Sequence, residues 1–70
     1  MDKKKAMKYF TMAAEQGDAK SQKNSGSMYY NGDGVERDVG EGLRLWKLAA
    51  AQGHEGAKYI LTVIREREGR

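Results

Sequence analysis

Ala13-Ala14-Glu15-Gln16-Gly17 and Ala49-Ala50-Ala51-Gln52-Gly53 are two versions of one block, and the offset of 36 residues between them decides the fold. Self-similarity at a fixed spacing of this size is a solenoid-type period. The same offset sets Asp2 against Asp38, Met7 against Leu43, Lys8 against Arg44, Phe10 against Trp46, Met12 against Leu48 and Ser21 against Ala57. Beyond Ser21 the copies diverge. Gly26 faces Thr62 and Tyr29 faces Arg65, so the second copy reads as degraded or terminal.

Working outward, each block closes a run with helical spacing. Residues 3 to 16 place Ala6, Phe10, Ala13 and Ala14 on one face, and Gly17 stops the run. Residues 38 to 52 repeat the design. Asp38 and Glu41 are spaced as a capping box, Val39, Leu43, Trp46 and Ala50 form a stripe, and Gly53 ends it. Gly40 and Gly42, if interior, each cost about 1 kcal/mol against alanine. Residues 55 to 67 set Ala57, Ile60, Leu61 and Ile64 at the spacing of an amphipathic helix. Residues 19 to 31 are the hard case, because Lys20 through Ser27 offer almost nothing to bury and the stretch also reads as a linker. Ala19, Met28, Tyr29, Tyr30 and the repeat offset favour a helix. Asn31-Gly32-Asp33-Gly34 is a turn cluster. A β-hairpin competes there, but the flanks lack period-two alternation, so a helix-to-helix turn is expected.

With 70 residues, the chain supports one small core and one domain. It contains no cysteine, so packing alone must hold it together. Thirteen basic against ten acidic residues leave a net charge of +3 spread along the chain, which does not demand nucleic acid. The Lys3–Lys5 run more often forms a solvated face than a nucleic-acid or membrane contact. No apolar stretch approaches a membrane span, and no signal-peptide core follows the lysines, which favours a soluble, cytoplasmic protein.

Chemistry-bearing constellations are thin. Asn31, Asp33 and Glu36 hint at a calcium loop, but Val35 stands where an oxygen ligand is required. Gly32 and Gly34 lack the preceding strand and the GK[ST] ending of a phosphate loop. His54, the lone histidine, has no nearby partners for metal binding or proton transfer and sits where a polar residue caps a helix. Trp46 could be a binding hot spot, yet it shares a stripe with Leu43 and Ala50, which points to the core. No nucleophile, base and orienting group occur together, so no enzyme, cofactor or metal is expected.

The block Ala13-Ala14-Glu15-Gln16-Gly17-Asp18-Ala19, its partner Ala49 to His54, and the run Met28-Tyr29-Tyr30-Asn31-Gly32-Asp33-Gly34-Val35 followed by Asp38 together resemble the Sel-one-like repeat family, relatives of the tetratricopeptide repeats. The resemblance covers nearly the whole chain. It implies an all-α fold of about four antiparallel helices in a right-handed superhelix, with the first helix of each pair lining a concave surface used to scaffold protein complexes. In that register residues 19 to 52 make one complete pair, flanked by half-repeats at 3 to 16 and 55 to 67. Ser25 stands where the family prefers a buried leucine and Gly42 where alanine is usual, and both are expected to weaken packing. Thr62 and Arg65 replace the family's glycine and tyrosine, which suggests an end, and the charged run Arg65 to Glu68 suits a terminal repeat facing water.

The same register points Lys20, Lys23, Ser27, Tyr30 and Asn31 into the groove, continued by Tyr59, Val63 and Glu66. Lysines and a tyrosine there would grip a partner's carboxylates and an apolar side chain. The leading expectation is therefore a protein-interaction module, acting as a monomer or as part of a longer chain. A structural cap of a longer array, with its groove unused, is the alternative.

Overall fold

The computed structural model describes residues 3–69. Four helices follow one another: α1 Lys3–Glu15, α2 Ala19–Asn31, α3 Val39–Ala51 and α4 Glu55–Glu68. Within α1 the side chains of Lys3, Ala6, Met7, Phe10 and Thr11 lie outside the description, so the expected Ala6–Phe10 part of its buried face does too, as does Asp2. Among the described residues there is no strand, and no helix is long and apolar enough to cross a membrane.

The repeated block is a repeated helix stop. Asp18 N–H donates to Ala13 O (3.1 Å) and Gly17 N–H to Ala14 O (3.0 Å); His54 N–H donates to Ala49 O (3.2 Å) and Gly53 N–H to Ala50 O (2.9 Å). These are the paired six-to-one and five-to-two bonds of a Schellman motif, which needs a left-handed residue. Gly17 (φ 91°) and Gly53 (φ 89°) supply it at no steric cost. The next residue then caps the following helix: Asp18 accepts from Ser21 N–H, and His54 Nδ1 accepts from Ala57 N–H at 3.1 Å. One seven-residue signal thus ends a helix, turns the chain and starts the next.

The longer connection closes the carbonyls at the end of α2. Met28 O accepts from Gly32 and Asp33 N–H, Tyr29 O from Asp38 N–H (2.8 Å) and Tyr30 O from Arg37 Nε (3.0 Å). Only half of the expected capping box forms at α3. Asp38 accepts from Glu41 N–H (3.0 Å), but Asp38 N–H is already committed to Tyr29 O and the Glu41 carboxylate turns to Arg44.

The most closely packed pair is α2 against α3. Gln22 meets Gln52, Gly26 meets Trp46, and Tyr30 meets Gly42, so rising numbers on one helix face falling numbers on the other and the pair is antiparallel. Two glycines make the crossing. A β-carbon on Gly26 would lie 2.7 Å from Trp46 Cδ1 and Nε1 and 2.9 Å from Gly42 O, and one on Gly42 would lie 2.8 Å from Gly26 O. The expectation that Gly42 weakens packing is corrected here, since nothing larger fits at this approach. Trp46, 4% exposed, lies across Gly26, donates Nε1–H to Lys23 O (2.9 Å) and holds its ring 5.0 Å from that of Tyr30.

The expected stripes shift. Leu45, Trp46 and Ala49 are buried on α3 with Gly42, whereas Val39, Leu43 and Ala50 are half-buried. The reason is that α3 has neighbours on two sides: the 42-45-46-49 face meets α2, while Leu43 turns toward α4. On α2 the buried residues are Ser21, Gln22, Ser25 and Gly26, not the half-buried Ala19, Met28, Tyr29 and Tyr30. Burial is possible because Gln22 is satisfied: its Nε2 donates to Ala14 O (3.2 Å) and its Oε1 accepts from Gln52 (2.9 Å), tying three helices together. Ala14 and Ala57 are buried as the spacing predicts, and Ile60, Leu61 and Ile64 are half-buried.

Candidate functional site

Lys20, Lys23, Ser27, Tyr30 and Asn31 recur at near-helical intervals along one side of α2. Lys20 and Asn31 are exposed, and Lys23, Ser27 and Tyr30 are half-buried. Ser27 Oγ donates back to Lys23 O (3.2 Å), and Tyr30 gives one side of its ring to Trp46. On α4, Tyr59 is the most exposed large hydrophobic residue among the described residues at 72%, Val63 is half-buried and Glu66 exposed. The two helix faces adjoin at Lys23, because a β-carbon placed on Gly56 lies 3.9 Å from Lys23 Cε. Gly56, Tyr59, Val63 and Glu66 share one side of α4, so the lysine stem bridges from the α2 row to the α4 row. Asn31 and Glu66 sit toward the far ends of their helices, away from this junction.

Two further features were not singled out from the sequence. A recess of ≈ 280 Å³ opens between the end of α1, the opposite side of α2 and the outer side of α3, where Ser25 and Gln22 meet Leu45 and Leu48. At its edge Arg44 clasps Glu41 through two bonds, Nε to Oε1 (2.6 Å) and Nη2 to Oε2 (2.8 Å). The Arg44 hydrogen bonds hold the Glu41 carboxyl below the usual carboxylate range, with burial pulling weakly the other way. A second, more open recess of ≈ 550 Å³ lies between α3 and α4, lined by Leu43, Lys47, Leu61 and Ile64 among others. The sequence signal for the first was Ser25 itself, which stands where the next copy of the repeat has Leu61.

His54 acts as a helix cap, and Asp33 and Glu36 are exposed in the α2–α3 connection. Among the described residues no three His, Cys, Asp or Glu side chains cluster to hold a metal. What the geometry offers is surface: rows on α2 and α4 that come near each other at Lys23 and Gly56, and two shallow recesses.

The paired Schellman stops, the glycine crossing and the all-helical order are the marks of a helical repeat, and the Sel1 repeat matches residues 2–18 and 19–54. This chain belongs to the Sel1 repeat family. Repeats of the family are protein-interaction modules and not catalysts, and this Sel1 chain shares their all-helical, tetratricopeptide-like architecture. It is similar to DAP3-binding cell death enhancer 1 of Rattus norvegicus, 41% identical over 64 residues, which is 91% of this chain and 13% of that protein. The protein of the same name from Mus musculus is 38% identical over 64 residues, covering 91% of this chain and 12% of its own length. The chain thus spans only about an eighth of the length of these relatives. No solved structure matches it.

Proposed function

We propose that this Sel1 chain binds a partner protein through the joined faces of α2 and α4, residues 19–52 forming the complete helix pair of a single domain over 1–70 and 3–16 and 55–67 its half-repeats. The observation that supports this reading is the junction at Lys23, whose stem lies beside Gly56; on this reading Lys20, Lys23, Ser27, Tyr30 and Asn31 act together with Tyr59, Val63 and Glu66. Lys20 and Lys23 present ammonium groups to a partner's carboxylates. The exposed Tyr59 ring offers apolar area at low conformational cost, as hot-spot residues do. The name of the two relatives supports DAP3 as the first partner to test. Titrating DAP3 into the intact chain is the experiment. The combined Lys20→Ala, Lys23→Ala and Tyr59→Ala variant should weaken binding roughly tenfold or more while leaving the helical spectrum unchanged. Binding that survives the triple substitution rejects the groove; no binding of DAP3 by the unsubstituted chain rejects the partner.

A second reading, a structural cap of a longer array, draws support from Thr62, Arg65 and Glu66. They stand 36 residues on from Gly26, Tyr29 and Tyr30, and Gly26 is where even one β-carbon collides with the crossing helix. A further helix could not dock on α4 as α3 docks on α2. Thr62→Gly with Arg65→Tyr should then promote association with an added repeat, measured by light scattering, and no change would reject the cap.

A further inference from the structure

The recess over Ser25 lies on the side of α2 that the groove residues do not use. Gln22, Ser25 and Tyr29 are two positions out of register with Lys20, Lys23 and Ser27, about 200° of rotation at 3.6 residues per turn, so the two rows face opposite ways. One small polar residue sits in its lining. Leu61 occupies the equivalent position one repeat on and lines the other recess, whereas the serine here leaves a hydroxyl and less apolar volume between α1 and α3. Ser25 is 1% exposed, and its hydroxyl has no hydrogen-bond partner among the described residues. Ser27 and Thr62 behave differently, each bonding to the carbonyl four residues earlier. A buried hydroxyl left unpaired is destabilising and invites explanation.

The lining is also charged against the trend of the chain. The protein carries a net +3, yet the recess is bounded by Glu15 and Glu41 against the single cation Arg44, and Arg44 is spent on Glu41. Glu15 is exposed and pairs with no cation among the described residues. One wall is apolar, with Leu48 leaving 42% of its surface open beside the buried Leu45.

We propose that this recess is a second binding site, which takes a lysine or arginine side chain from an extended segment of a partner protein. Its aliphatic stem lies against Leu45 and Leu48, its charged head reaches Glu15, and the Ser25 hydroxyl gains an N–H donor. Long cationic side chains bury their stems in this way while keeping the head at a carboxylate. The proposal does not rest on the α2–α4 groove, since no lining residue is shared.

The test is a titration of the isotope-labelled intact chain, followed by amide NMR, with short capped peptides of glycine and serine around one central lysine, arginine, norleucine or glutamate. The lysine and arginine peptides should shift the amides of Glu15, Ser25, Tyr29, Leu45 and Leu48, and the norleucine and glutamate peptides should not. Glu15→Gln, an exposed change that leaves the core untouched, should weaken the cationic peptides about fivefold. Ser25→Leu should abolish their binding while raising the melting temperature, because it puts apolar volume into the recess and removes the unpaired hydroxyl. Equal shifts with norleucine, undiminished binding by Ser25→Leu or Glu15→Gln, or no shifts at these residues would each overturn the proposal. Shifts confined to Lys20, Lys23 and Tyr59 would likewise overturn it and leave the groove standing.

Discussion

Replacing Gly26 by alanine should destabilise this protein, although the same change in most helix interiors is stabilising. Helix propensity alone favours alanine by about 1 kcal/mol. Against it, the new β-carbon would sit 2.7 Å from two atoms of the Trp46 indole and 2.9 Å from Gly42 O. No flexible side-chain end is there to yield, so the helices must part or the indole must swing away. Overpacking of this kind costs about 1–3 kcal/mol. Displacing the indole also loses its 2.9 Å bond to Lys23 O, worth about 1 kcal/mol. The balance is a net loss of about 1–3 kcal/mol, and each kcal/mol lowers the melting midpoint of a domain this size by about 4–8 °C. Thermal and urea unfolding followed by circular dichroism, with Trp46 fluorescence as a second reporter, measures it. Gly40→Ala is the control: a β-carbon there meets only Asp38 Oδ1, at 3.6 Å, so it should be neutral or stabilising by up to about 1 kcal/mol. A Gly26→Ala protein as stable as the parent, with unchanged Trp46 emission, would refute the glycine crossing.

Gly42→Ala should behave like Gly26→Ala in the same unfolding assay, because its β-carbon would meet Gly26 O at 2.8 Å and Tyr30 at 3.0 Å. His54→Ala removes the acceptor for Ala57 N–H and should cost about 0.5–2 kcal/mol, most of which His54→Asn should restore. Glu41, held below the usual carboxylate range by Arg44, stabilises the fold above the unfolded-state pKa of the carboxyl. That contribution is lost as pH falls through the lowered folded value, so urea midpoints of the parent should drop more on acidification than those of Glu41→Gln. The effect is small for a surface pair, and identical pH profiles would show that the pair contributes nothing.

Helix positions were legible because their signals are local. The Ala-Ala-x-Gln-Gly block encodes a Schellman stop, and Asp18, Asp38 and His54 encode caps, so all four helices lie within a residue of their expected bounds at either end. The packing of α2 was not legible in the same way. Counting apolar residues finds nothing in Ser21, Gln22, Ser25 and Gly26, yet these are what the helix buries. Gly26 packs by bringing backbones together, and Gln22 by donating its amide to Ala14 O. Neither effect registers as hydrophobicity. The α3 stripe was misplaced for a related reason, since a helix with neighbours on two sides has no single apolar face. The α2 and α4 rows follow from periodicity, but their junction at Lys23 depends on how close α4 comes. The Ser25 recess depends on three helices at once, and its only trace in the chain is a serine opposite Leu61.

The most direct measurement is a binding isotherm of the intact chain with its partner protein, before and after the combined Lys20→Ala, Lys23→Ala and Tyr59→Ala substitution, with melts recorded on the same samples. If this chain works through the joined α2 and α4 faces, affinity falls roughly tenfold or more at an unchanged melting temperature. Equal affinity of the two proteins would contradict it.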